Sequence, residues 1–340
     1  MHGWIILDKP LGLGSTQGVS AVKRALREAG YGPKKKDMPK VGHGGTLDPL
    51  ATGVLPVAIG EATKLAGRML DSDKVYDFTI RFGVETDTLD CEGKEIATSE
   101  MIPTRDQVAA VLPRFTGPIE QVPPAYSALK VDGARAYDLA RAGEEVVLET
   151  RSVTVHSLKI LPELASGRGT REAGGGAATS AAVAPPPPPP RDCVARSPSP
   201  SELGEECHEI TLTAHVSKGT YIRSLARDIA RAVGSVGHVT YLRRTKAGPF
   251  GLEQAISLDK LADAAKERRL EELLLPLRAG LDDIPALSLT PDQAGRLRAG
   301  QQVIGTTADD GLVFAMLDDV PVALAEVQAG NVRVVRGFNL

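Results

Sequence analysis

One carboxylate sits in the middle of a glycine-rich stretch that is stopped by a proline: Gly42-His43-Gly44-Gly45-Thr46-Leu47-Asp48-Pro49-Leu50-Ala51-Thr52-Gly53-Val54-Leu55. Glycines allow positive φ and a close approach of backbone to a bulky ligand. Pro49 holds the residue before it in extended or turn geometry, so Asp48 is not expected in a regular helix. Asp48 is the only ionisable side chain between His43 and Glu61, which makes it the candidate nucleophile. An Asp before Pro is also an ordinary turn residue, and on this segment alone both readings stand. The chain has no GK[ST] after its glycines, no HExxH, no GxSxG and no dinucleotide fingerprint. Nucleotide-dependent, metallohydrolase, serine-hydrolase and dehydrogenase chemistries therefore lack their parts.

The elements that must hold this loop are legible around it. Ile5-Ile6-Leu7 reads as a short buried strand, and Val19, Val22, Leu26 and Ala29 recur at helical spacing up to a stop at Gly30. Residues 61–70 read as a helix. From Val75 to Phe82 the pattern alternates, with Tyr76, Phe78, Ile80 and Phe82 on one face. Helices are expected over 104–115 and 137–142, and strands over 153–161 and 209–216. Ile222, Leu225, Ile229 and Val233 mark another helix, on which Arg223, Arg227 and Arg231 form a basic stripe. A helix is predicted over 258–275. A short helix capped at Thr290-Pro291 and three strands near 312–317, 321–327 and 332–336 then suggest a small β-rich appendage.

Residues 163–207 break this order. They are rich in Gly, Ala and Ser and contain six consecutive prolines at 185–190, so the expectation is a disordered or polyproline insertion in a hairpin loop. At 340 residues the chain can bury a full core. Its N-terminus shows neither the basic n-region nor the small-residue cleavage site of a signal peptide and reads as a first strand, and no apolar run reaches the length of a membrane span. Cys91, Cys193 and Cys207 have neither disulfide nor metal-site spacing, which fits a reducing cytoplasm; Cys193, Cys207 and His208 match no standard metal site. Net charge is −3, yet residues 1–40 carry eight Lys/Arg against three Asp/Glu and residues 215–250 seven against one. Two such segments on an acidic chain suggest a confined polyanion site, although a solvated surface would give the same runs.

Several long motifs in order resemble the bacterial tRNA pseudouridine synthase B family. They are Gly-Trp-Ile-Ile-Leu-Asp-Lys-Pro at 3–10, Gly-His-Gly-Gly-Thr-Leu-Asp-Pro-Leu-Ala-Thr-Gly-Val-Leu-Pro at 42–56, Gly-Glu-Ala-Thr-Lys at 60–64 and Asp-Ser-Asp-Lys-Val-Tyr at 71–76. Pro-Pro-Ala-Tyr-Ser-Ala-Leu-Lys at 123–130, Ser-Lys-Gly-Thr-Tyr-Ile-Arg at 217–223 and Gly-His-Val-Thr-Tyr-Leu-Arg-Arg at 237–244 complete the set. The resemblance covers nearly the whole chain outside 163–207.

The resemblance implies an α+β pseudouridine synthase fold: a mixed, mostly antiparallel sheet flanked by helices, with a small C-terminal mainly-β domain. It places a catalytic domain over 1–280 and a PUA-like RNA-binding domain over 281–340. The activity implied is isomerisation of uridine to pseudouridine at position 55 in the T-loop of tRNA, with no cofactor and no metal. Asp48 would act on C1′ of a flipped-out uridine, by covalent attack or by assisting a glycal route. Arg223 would pair with that carboxylate, and Tyr76 would stack on the base and serve as the base at C2′. His43 would fill the space left by the extruded base, with Tyr221 and Leu242 lining the uridine pocket. The basic segments 34–40 and 223–246 would hold the T-arm backbone. A cytoplasmic monomer without an obligate protein partner or a membrane is expected. Two alternatives carry different tests: a tRNA-folding chaperone with secondary catalysis, and a synthase directed to another RNA by partner proteins.

Overall fold

The computed structural model describes residues 1–32, 37–127, 129–131, 134–142, 148–162 and 206–340. Lys34-Lys35-Lys36 and residues 163–205, with Cys193 and the proline run, lie outside the described residues. Glu206 and Cys207, placed at the end of the expected insertion, are in the structure: Glu206 bridges Thr104, and the amide of buried Cys207 donates to the Pro103 carbonyl. Two compact units emerge, one from 1–75 and 243–340, the other from 76–242.

The first unit opens with β1 (Gly3–Lys9), α1 (Ser15–Glu28), β2 (Val41–His43), β3 (Ala51–Ile59) and α2 (Ala66–Asp71). The chain enters the second unit within β4 (Lys74–Phe82) and continues through β5 (Val84–Thr86), β6 (Glu95–Thr98), α3 (Arg105–Val111), β7 (Gly117–Gln121), β8 (Lys130–Val131), β9 (Ala134–Arg135) and α4 (Ala136–Arg141). It goes on with β10 (Arg151–Ile160), β11 (Glu209–Val216) and α5 (Ile222–Ala232), and returns within β12 (Gly237–Ala247). Last come β13 (Phe250–Gly251), α6 (Leu258–Lys266), β14 (Ala286–Ser288), α7 (Pro291–Arg298), β15 (Val303–Ile304), β16 (Gly311–Leu317), β17 (Val320–Gln328) and β18 (Asn331–Gly337).

In the first unit β1 runs antiparallel to β3, from Gly3 opposite Ile59 to Lys9 opposite Gly53, and β2 pairs the far end of β3. Every residue of β3 is buried, which is why its sequence reads as one apolar run rather than an alternation. On one side Trp4, Ile6, Val54 and Ala58 pack with Met69, Phe250, Leu277, Phe314 and Phe338. Trp4 lies 5.3 Å from Phe250, centroid to centroid, and its indole N–H donates to the Leu277 carbonyl. On the other side α1 buries Val19, Val22 and Leu26, with Gly18 against Leu7 and Leu55. The C-terminal strands form a five-stranded sheet in the order β14-β16-β17-β18-β15, antiparallel except for β14 beside β16. Thr290 caps α7 reciprocally with Gln293, and Pro291 occupies N1, as expected.

In the second unit β10 pairs antiparallel with both β11 and β7. Beside them, Thr213 on β11 donates to Asp77 on β4, and the Thr79 and Thr211 hydroxyls lie 2.9 Å apart. Phe78, Ile80 and Phe82 meet Leu212, Ala214, Val216, Leu225 and Ile229, so the alternating faces of β4 and β11 and the apolar stripe of α5 close one core. This is the α+β, mostly antiparallel architecture that the sequence suggests. Two helix predictions need correction. The 61–70 helix is a 3-10 stretch, Gly60–Leu65, followed by α2, and the 258–275 helix ends at Lys266. Arg268 takes φ 57°, a left-handed turn that ends the helix, and only a 3-10 stretch at Leu270–Leu273 follows.

Candidate active site

Asp48 lies in the turn between β2 and β3, half-buried. Five consecutive backbone carbonyls of its loop each accept a hydrogen bond. The Arg244 guanidinium donates to Gly45 and Thr46, both at 3.2 Å, and the Ser15 hydroxyl donates to Leu47 at 3.0 Å. The Ala51 amide donates to Asp48, and Pro49 accepts from both Lys9 Nζ and the Gly12 amide. The Leu47 amide in turn donates to Ser15 Oγ at 2.7 Å. Two glycines are required here. Gly45 has φ 129°, and Gly53 has φ 99° with no room for a Cβ against the Arg244 carbonyl oxygen. The glycines therefore serve the loop's own packing.

Lys9 and Arg244 are 0% and 1% exposed, and sequence reasoning missed both. Lys9 donates to the carbonyls of Pro10, Leu13 and Pro49. Burial pushes its ammonium down from 10.5 to about 8, opposed by the charge of Asp48 and reinforced by that of Arg244. The only signal for Lys9 was its place between a buried strand and a proline; Arg244 gave none. His43 ends β2, half-buried, with Nδ1 enclosed and lacking a hydrogen-bond partner among the described residues. Burial, then the charge of Arg244, holds its imidazole below the usual histidine range and so favours the neutral ring. Next to β2, Lys23, Arg27 and Lys40 help line a cleft of about 840 Å³ whose other lining residues include Gly42 and Thr63.

The other four expected residues belong to the second unit. Tyr76 on β4 and Leu242 on β12 are partly buried and pack on the same core, so each is as much a packing residue as a lining one. Tyr221 is the N-cap of α5, fixed by an amide clamp: its N–H donates to Gln121 Oε1 at 2.8 Å, and Gln121 Nε2 donates back to its carbonyl at 3.1 Å. Arg223, 6% exposed, donates to the Thr88 and Tyr126 carbonyls at 2.9 Å and to Asp90 Oδ2 at 3.2 Å. Asp90 also accepts from Thr88 Oγ1 and the Glu92 amide. This acid, also missed, lies 133 residues from Arg223 in a polar turn that resembles an ordinary loop.

The basic stripe of α5 is not a bare phosphate-binding face. Arg223 is taken by Asp90, Arg227 by Asp228 and Arg231 by Glu85. Farther along, Arg243 makes a bidentate pair with Asp8 at 2.8 and 3.0 Å, and Arg244 is buried. These arginines are therefore also tied into the protein's own ion pairs, while the Arg231 side chain stays 56% exposed.

Comparison with known proteins adds an independent line. Residues 33–166 match the model of the TruB family pseudouridylate synthase N-terminal domain, and residues 223–282 that of the tRNA pseudouridylate synthase B C-terminal domain. The chain is 58% identical over 340 residues to the tRNA pseudouridine synthase B of Novosphingobium aromaticivorans, covering all of this chain and 98% of that protein. It is 53% identical to the same-named protein of Zymomonas mobilis, covering 100% and 96%. Among solved structures it is similar in fold to a chain of a Cbf5-Nop10-Gar1 complex, with TM-score 0.65 and 24% identity over 99% of this chain and 85% of that one. A chain of an H/ACA RNP bound to a substrate RNA containing 2'-deoxyuridine gives TM-score 0.64 and 23% identity at the same coverage.

Proposed function

Because this chain belongs to the TruB family of pseudouridylate synthases, we propose that it converts uridine 55 in the T-loop of tRNA to pseudouridine, with Asp48 as the group that meets the sugar. The observation that carries the catalytic part is the Asp48 loop, whose carbonyls from Gly45 to Pro49 all have donors, so the carboxylate stands on a fixed backbone. A nucleophile held this way loses little orientational freedom on reaching the transition state.

In the reaction the N1–C1′ bond breaks, the base turns, and C5 bonds to C1′. The C5 proton leaves, N1 gains one, and the product is an isomer of the substrate. Asp48 serves either by attacking C1′ or by supporting the cationic sugar of a glycal route. Tyr76 is proposed to stack on the base and to act at C2′, Arg223 to act with Asp48, Tyr221 and Leu242 to line the uridine pocket, and His43, favoured as the neutral ring, to take the place of the extruded base. Support for a polyanionic substrate comes from the cleft beside β2, where Lys23, Arg27 and Lys40 gather next to the strand that leads to His43. The same reading assigns residues 281–340 as a PUA-like RNA-binding domain and the whole chain as a cytoplasmic monomer that works without a protein partner. No helix among the described residues is long and apolar enough to cross a membrane.

The test is positional mapping of pseudouridine after the purified chain meets unmodified tRNA. One new pseudouridine, at position 55, is the expected result. Modification only at another site, or only with added proteins, would redirect the assignment. Binding and refolding of tRNA without any pseudouridine would favour the chaperone.

A further inference from the structure

Arg244 is buried in the same unit as Asp48, yet none of the roles above uses it. The residue is 1% exposed, and among the described residues no carboxylate makes an ion pair with it. A buried cation is normally paired, because removing it from water without compensation costs several kcal/mol. Here the compensation is three carbonyl oxygens: Nε donates to Val54 at 2.8 Å, and the two terminal nitrogens donate to Thr46 and Gly45 at 3.2 Å. All three acceptors flank Asp48 in the chain, Gly45 and Thr46 before it and Val54, within β3, after it. Thr46 is 198 residues away from Arg244 in sequence, so this is a tertiary clamp and not a local turn.

The rest of the loop shows how much falls to this residue. Ser15 fixes Leu47, while Lys9 and Gly12 fix Pro49. Only the Ala51 amide, bonded to the Asp48 carbonyl, comes from the loop itself. Without Arg244 the Gly45 and Thr46 carbonyls would lose these donors, the Gly45 one in a buried position, and Gly45 sits at φ 129°, a conformation that resists little by itself. Strand placement fixes the arginine in turn, since Gly53 admits no Cβ against the Arg244 backbone.

We infer that Arg244 is the positioning residue of the catalytic loop: its planar fork fixes the backbone immediately before Asp48, and this sets the direction of the carboxylate without any contact with substrate. The inference rests on Asp48 carrying the reaction. A lysine in its place keeps the charge but cannot span three carbonyls in a fixed plane. Displacement of a reacting group by about 1 Å costs on the order of 100-fold in rate.

The experiment compares Arg244→Lys with the wild-type protein. For the variant we expect a cooperative thermal transition, a Kd for tRNA within about threefold of wild type, and a single-turnover rate lower by on the order of 100-fold, with kcat falling and KM holding. A wild-type rate would overturn the inference, and so would a rate loss matched by an equal loss of binding. Hydrogen exchange on the wild-type protein gives a second reading that does not depend on the variant's folding. The amides of Gly12, Leu47 and Ala51, each hydrogen-bonded, should exchange as slowly as those of β3; exchange at open-loop rates would also overturn it. Asp48→Asn is assayed in parallel. Turnover by that variant would defeat the catalytic reading itself, while the exchange data would still decide what Arg244 does to the loop.

Discussion

Two buried arginines, Arg223 in one unit and Arg244 in the other, solve the same problem in different ways. Arg223 pairs with a carboxylate, Asp90, and also donates to two carbonyls. Arg244 has carbonyls alone, and two of them belong to the loop that carries Asp48. In the first arrangement an acid is committed to holding a cation. In the second the loop's own backbone carbonyls solvate the cation, so burying the charge and shaping the loop become one event. Lys9 follows the second pattern, with three carbonyl acceptors. A buried charge can thus brace a core or brace a reactive loop, and the identity of its acceptors tells the two apart.

The contrast can be broken at several points, and the largest effect is expected in the paired arrangement. Asp90→Ala takes a buried counter-charge from the Arg223 guanidinium and should cost about 3–5 kcal/mol in chemical denaturation. A loss under about 1 kcal/mol would mean that Asp90 is not what offsets the burial of Arg223. The Lys9 region should show a different signature, one of pH. Its ammonium is pushed down to about 8 in the folded chain from 10.5. Between those values the unfolded chain binds the extra proton, so stability should rise with pH from about 8 to 10.5. Relative to Lys9→Met, wild type should therefore gain on the order of 2 kcal/mol across that window. A difference that stays flat with pH would show that Lys9 is not held as a costly buried cation. The smallest effect belongs to an exposed pair, Lys266 with Asp263, whose side chains are 64% and 68% exposed. Lys266→Ala should change stability by less than about 0.5 kcal/mol, which fixes the baseline against which the buried charges are judged.

Much of the frame was legible in the sequence because it depends on periodicity. The alternation of Tyr76, Phe78, Ile80 and Phe82, and the apolar stripe of Ile222, Leu225 and Ile229, became two sides of one core. Asp48 was legible because glycine and proline chemistry surrounds it. What was not legible were charges that go inside. Lys9, Arg244 and the Arg223–Asp90 pair look like solvated residues in any pattern that sorts by polarity, and their acceptors are backbone carbonyls or acids far away in the chain. The strand β12 was missed for the same reason, since Arg243, Arg244 and Lys246 mask its alternation. The stripe on α5 was legible in its spacing, but not its acidic partners Asp90, Asp228 and Glu85.

The most direct measurement is a side-by-side titration and single-turnover assay of Asp48→Asn with unmodified tRNA. The substitution removes one charge and leaves every carbonyl contact of the loop in place. The account predicts tRNA affinity within about threefold of wild type and no detectable pseudouridine, a loss of several orders of magnitude in rate. Pseudouridine formed by this variant at the wild-type rate would contradict it.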